Sequence, residues 1–110
     1  MTATAQGALA RLGVPVEALA DFCCRHRVSQ LALFGSVLRA DFRPDSDVDV
    51  LVTLAPGSRW PLEEYLDVEE ELTRLFGHKA DVVERHIIER AENYIRREAI
   101  LGSAEVAYAT

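Results

Sequence analysis

Three aspartates and a Gly-Ser pair have the types and spacing in this chain that could do chemistry. Asp47 and Asp49 lie two apart in Asp47-Val-Asp-Val-Leu-Val-Thr-Leu54, the strongest strand pattern present. Residues two apart on a strand share a face, which sets the two carboxylates roughly 6–7 Å apart along it. Like charges that close repel, raising the pKa of at least one where no cation intervenes. A hard divalent ion removes the conflict, and Mg²⁺ usually combines one or two carboxylates with substrate phosphates. Asp81, in Ala80-Asp-Val-Val83 at the start of a later strand pattern, adds a third acid. If the two strands are neighbours the three carboxylates converge. Such a trio can hold two ions about 3.5–4 Å apart, the arrangement suited to in-line phosphoryl or nucleotidyl transfer.

Gly35-Ser36 supplies the complementary half. A glycine ending a strand lets the backbone approach a ligand closely. The N–H groups opening the next turn, with the Ser36 hydroxyl, can hold phosphate oxygens. Metal-binding acids alone serve many reactions; acids facing a phosphate cradle point to a nucleotide.

The elements that must position these residues are legible in the pattern. Val16, Leu19, Ala20, Phe22 and Cys23 recur at helical spacing after Pro15, predicting a helix that ends near His26. The run Gln30-Leu-Ala-Leu-Phe34 reads as a buried strand stopped by Gly35. One helical turn fits 36–40, a loop with Pro44 fits 42–45, and Pro56-Gly57 closes the Asp47–Leu54 strand. Leu62, Tyr65, Leu66, Leu72, Leu75 and Phe76 predict an amphipathic helix over 61–76, with acids in its first turn and Gly77 as C-cap. Lys79–Val83 is a third strand, and Ile87, Ile88, Ala91, Tyr94 and Ile95 mark a third helix. Glu105–Ala109 is a short last strand. This order predicts an α/β (α+β) fold: a small mixed β-sheet with helices mainly on one face. Residues 1–7 read as a loose tail and 8–110 as one domain.

Composition excludes several classes. With 110 residues the chain holds one core, and 49% hydrophobic with 27% charged residues is ordinary for a globular protein. Its apolar runs are far too short for a membrane span, and Met1–Ala8 lacks a signal-peptide pattern, so the sequence reads as cytoplasmic. A net charge of −6 argues against an extended nucleic-acid surface. Of adjacent Cys23 and Cys24, in a predicted helix, one or both read as buried small apolar side chains. His26, His78 and His86 show no metal-ligand spacing and read as surface residues. Asp45 reads as a solvated or capping loop acid, and Ser46 as bonded to local backbone. Trp60 reads as packing where the helix over 61–76 begins, and Tyr94 and the leucines of that helix as core.

Gly35-Ser36, ten intervening residues and Asp47-x-Asp49, followed by Asp81, resembles the signature of the DNA polymerase β-like nucleotidyltransferase superfamily. The short chain and the Leu33-Phe-Gly-Ser36 opening resemble its minimal (MNT) branch, whose members are commonly antitoxins paired with HEPN-domain toxins. The resemblance runs from about residue 15 to the end and includes Gly77-His-Lys-Ala-Asp81. It implies a polymerase β-like palm in which Asp47 and Asp49 ligate two Mg²⁺ ions. Asp81 would ligate one of them and help the attacking hydroxyl lose its proton. Gly35 and Ser36 would hold the triphosphate of ATP, and Arg39 would contact the nucleotide or the acceptor. Ala40 and Asp41 depart from the glycine and glutamate that relatives often carry there, a difference in the turn after Arg39 that leaves the acids untouched.

The implied activity is transfer of AMP from ATP to a hydroxyl, with a tyrosine of a partner HEPN toxin as the leading acceptor. One small palm has no second domain to grip an acceptor, so a second protein would supply it. Three alternatives stand beside this. The chain could be an antitoxin acting by contact alone, with exposed apolar surface on the last helix as its mark. It could adenylylate a small molecule such as an aminoglycoside. It could be a domain of a larger polymerase-like protein, against which Met1 and Thr110 read as complete ends.

Overall fold

A computed structural model describes residues 4–110. Its helices are α1 (Ala5–Leu12), α2 (Val16–Arg25), α3 (Leu62–Phe76), α4 (Arg85–Glu89) and α5 (Tyr94–Ser103). Its strands are β1 (Val28–Phe34), β2 (Val48–Leu54), β3 (Ala80–Glu84) and β4 (Glu105–Ala109), with a 3₁₀ turn at Gly35–Leu38. The strands form one mixed sheet in the order β3-β2-β1-β4. β1 runs antiparallel to β2 and to β4, whereas β2 and β3 are parallel, joined by the crossover through α3.

Strand alternation divides the apolar residues between two faces. Leu31, Leu33, Val48, Val50, Val52, Ala80 and Val82 point into the main core with buried residues of α1, α2 and α3, among them Leu9, Phe22 and Leu72. Ala32 and Leu51 point the other way and meet Ile88 of α4 and Ile100 of α5 in a smaller cluster. The helices therefore pack mainly on one face, as expected. The second face is thinly covered.

α3 also protects the sheet. β3 is an edge strand, and unpaired backbone groups on an edge invite foreign strands. Here Thr73 Oγ1 accepts from Ala80 N at 3.0 Å and Glu69 Oε2 accepts from Val82 N at 3.3 Å, while the Tyr65 hydroxyl donates to the Val82 carbonyl. Gly77, left-handed at φ 72°, ends α3 as a C-cap and turns the chain into β3.

Several local expectations are corrected. α1 opens at Ala5, which is buried, so the loose tail expected over 1–7 does not include residues 5–7; residues 1–3 lie outside the described ones. The Thr4 side chain accepts from Gly7 N at 3.1 Å and starts this helix, which no long apolar pattern announces. The single third helix is two, because Asn93 Oδ1 accepts from Arg96 N at 3.0 Å and begins α5 afresh. Tyr94 is exposed rather than core, as are Leu62 and Leu66. α3 buries only the stripe through Val68, Leu72 and Phe76, and α5 rests on the sheet through Ile100.

His26 is not a surface residue. Its side chain is 14% exposed, with Nδ1 2.9 Å from Glu64 and Nε2 3.0 Å from Glu71. Arg25 pairs with Glu71 and Arg27 with Glu64, so this cluster fastens α2 and the start of β1 to α3. Trp60 packs before α3 as expected, its Nε1 donating to the His26 carbonyl at 2.9 Å.

Candidate functional site

β2 and β3 bring the acids together by register. Asp49 pairs with Asp81 across the parallel ladder, flanked by Val48 with Ala80 and Val50 with Val82. Because those neighbours face the main core, the two aspartates project from the opposite, thinly covered face. Asp47 lies just before β2, two residues from Asp49, and so adjoins the pair. Asp47 and Asp81 are exposed, and Asp49 is half-buried.

The electrostatics follow from that crowding. Burial pushes the Asp49 carboxyl above its usual range, the charges of Asp81 and Asp47 push it further, and Arg39 and Arg96 pull it back. Two neighbouring acids thus act on Asp49 at one end of the sheet. Among the described residues no three His, Cys, Asp or Glu side chains stand close enough to enclose an ion. The donor set is all oxygen and all anionic, which fits a hard divalent cation such as Mg²⁺.

The Gly-Ser turn reaches the same place from β1. Phe34 pairs with Asp49, so Gly35 begins its turn beside the Asp49 carboxylate. Gly35 has φ 76°, and a Cβ there would collide with Asp49 Oδ2 and stand 3.3 Å from its Cγ. Backbone conformation and close approach both require glycine. Ser36 follows in the turn, its carbonyl accepting from Arg39 N at 2.9 Å. Arg39 is exposed and pairs with Asp41 at 3.1 Å, holding that carboxyl below its usual range. The residue at the departure from the expected pattern is thus the partner of Arg39.

All six residues singled out from sequence, Gly35, Ser36, Arg39, Asp47, Asp49 and Asp81, belong to one end of β1, β2 and β3 and the segment linking them. Arg96 was missed. Its charge, carried on α5, lowers the pKa of the Asp49 carboxyl, and only the Asn93 cap just before it could have flagged a helix start there. The Ser46 carbonyl meets His78 Nδ1 at 3.0 Å, tying the segment before Asp47 to that before β3.

A mixed sheet that presents clustered acids beside a glycine turn has the architecture of a nucleotide-transferring palm. Residues 16–101 match the model of the nucleotidyltransferase domain family, and the chain belongs to that family. A candidate protein adenylyltransferase of Methanocaldococcus jannaschii is 31% identical over 64 residues, which are 58% of this chain and 64% of that protein. The match thus spans a little under two thirds of that relative. A solved structure of a candidate minimal nucleotidyltransferase is 31% identical, with a TM-score of 0.63 over 92% of this chain and 93% of the other. The structure of a tri-AMPylated Shewanella oneidensis HEPN toxin in complex with MNT antitoxin matches with a TM-score of 0.57 at 12% identity, over 86% of this chain and 70% of that one. This last likeness is one of fold.

Proposed function

We propose that this chain is a Mg²⁺-dependent nucleotidyltransferase that moves AMP from ATP onto a hydroxyl, a tyrosine, of a partner HEPN-domain toxin. It acts as a cytoplasmic antitoxin working through one catalytic domain. The observation that carries the reading is the register pairing of Asp49 with Asp81, with Asp47 adjoining and Gly35 pressed against Asp49.

In the proposed reaction the acceptor oxygen forms a bond to the α-phosphorus of ATP. The bond from that phosphorus to the bridging oxygen breaks, and pyrophosphate leaves. Asp81 takes the acceptor proton. Gly35 and Ser36 hold the triphosphate through backbone N–H groups and a hydroxyl, and Arg39 and Arg96 offer positive charge to the leaving oxygens. Asp47, Asp49 and Asp81 would hold two Mg²⁺ ions, which supply charge neutralisation at the attacking and leaving oxygens. Positioning accounts for much of the remainder.

The test is transfer of label from α-labelled ATP, with Mg²⁺, to the protein encoded beside this one. Asp47→Ala and Asp49→Ala run in parallel. Label on the partner, lost in both variants, supports protein adenylylation. Label on a small molecule with no partner present would replace the acceptor in this reading.

One observation favours neutralisation by contact as a second reading. Tyr94 is 63% and Ile95 78% exposed on α5, an apolar pair open to a partner. Silencing of the partner by the aspartate variants without label transfer would establish it.

A further inference from the structure

On the side of α1 and the end of α3, behind the Gly35–Leu38 turn, the fold forms a cavity of about 360 Å³. None of the three clustered aspartates lines it. Its apolar wall includes Val37, Phe42 and Phe76, and its polar groups are Arg11, Arg43 and His78, without any Asp or Glu. That is unusual in a chain with 18 acidic and 12 basic residues.

The cations here are not spoken for by acids. Arg25, Arg27, Arg39, Arg74, Arg85 and Arg97 each reach a carboxylate. Among the described residues Arg11 and Arg43 reach none, as is also true of Arg59, Lys79, Arg90 and Arg96, and these two share one cavity. Asp41 feels the charge of Arg43 but bonds Arg39. The Arg11 guanidinium is fixed at the cavity by donating to the Val37 carbonyl. His78 directs Nδ1 to the Ser46 carbonyl, and its ring packs 4.8 Å from that of Phe42 at a tilt of 43°, giving the cavity an aromatic flank.

We propose that this cavity is a second ligand site, for a small phosphomonoester bearing a flat ring, of which a nucleoside monophosphate is the representative. Two guanidinium groups match a doubly charged phosphate better than a single carboxylate. The aromatic flank takes the ring, and the volume lies in the range of small-molecule pockets. The site is placed to act on the clustered acids. Val37 belongs to the turn that Gly35 and Ser36 open, and Phe42 and Arg43 belong to the segment leading to Asp47. A ligand here touches the supports of both. The inference does not depend on the acceptor proposed above.

AMP, inorganic phosphate and adenosine are titrated separately, in Mg²⁺-free buffer, into ¹⁵N-labelled protein with amide shifts as the readout. The proteins are wild type, Asp47→Asn and the exposed-site variant Arg43→Gln. Saturable AMP shifts are expected at Val37, Arg43 and His78 in wild type and Asp47→Asn alike. AMP should bind more tightly than phosphate or adenosine, and Arg43→Gln, with dispersed native spectra, should weaken it about tenfold. Shifts confined to Gly35, Ser36 and Asp49, or none that saturate, would overturn the site. Equal affinity for AMP and phosphate would overturn the ring-bearing ligand, and unchanged affinity in Arg43→Gln would overturn the cationic recognition.

Discussion

The carboxylate of Asp49 occupies the space where Gly35 would carry a side chain. The end of β1 and the start of β2 are thereby locked at one distance, with the Gly35–Ser36 turn on one side and an acid on the other. Gly35→Ala must move the turn or the carboxylate, and must also hold alanine at a φ of 76°. The expected cost is about 1–3 kcal/mol in urea unfolding. Nucleotidyl transfer should fall by about 100-fold from misplacement of the reacting groups. A variant that keeps full transfer would show that this contact does not set the site.

Asp49 illustrates an acid kept at a cost to the fold. Burial first, then Asp81 and Asp47, raise its pKa above the ordinary 3.8. A folded pKa above the unfolded one means stabilisation present below about 3.8 that disappears as pH rises through the folded value. At neutral pH the ionised group therefore opposes folding. Asp49→Asn should raise the urea midpoint of the Mg²⁺-free protein while cutting transfer on the order of 10³-fold. Mg²⁺ should raise the melting temperature of wild type more than that of the variant. A lower midpoint in Asp49→Asn would contradict the account.

The carboxylates around His26 carry the opposite sign. Glu71 is held below its usual range by Arg25 first, with His26 adding to it. Burial raises Glu64, but bonds from His26 and Arg27 outweigh it and leave the group lowered. Depressed folded values stabilise above the unfolded pKa of 4.5 and cease to do so as pH falls through the folded ones. Urea midpoints measured from pH 7 down to pH 3 should drop below about pH 4.5. Glu71→Gln should shrink that drop; an identical profile would remove this cluster as its source.

The adjacent cysteines should differ sharply in reactivity. Cys23 is fully buried, and burial, with Cys24 beside it, pushes its thiol up to about 12. Cys24 is exposed. A thiol reagent at pH 8 should label Cys24 in the native protein and both cysteines in denaturant, since thiolate and access govern the rate. Rapid native labelling of Cys23 would show that α2 opens readily.

Ile95 separates folding from docking. At 78% exposed it adds little to the core, so Ile95→Asp should change stability by no more than about 0.5 kcal/mol. If α5 presents a partner surface, the same change should weaken partner binding by at least about tenfold, measured by calorimetry. Unchanged binding would place the contact elsewhere.

Much of the site was present in the sequence because its logic is local. Two-residue alternation in Asp47-Val-Asp-Val sets Asp49 on the outer face of β2, with Asp47 adjoining it just before the strand. A glycine at the end of an apolar run marks a turn that needs positive φ. Composition and periodicity likewise gave the α/β class, β1 to β4 and α2 and α3 to within a residue or two. Tertiary structure alone decided the pairing of Asp49 with Asp81, since parallel register depends on how α3 crosses over and not on either strand. It also decided that the charge of Arg96 acts on Asp49, that His26 is clasped by Glu64 and Glu71, and that Tyr94 stays outside. Each of those rests on distant segments meeting in space, and no spacing along the chain encodes which partner a side chain will find.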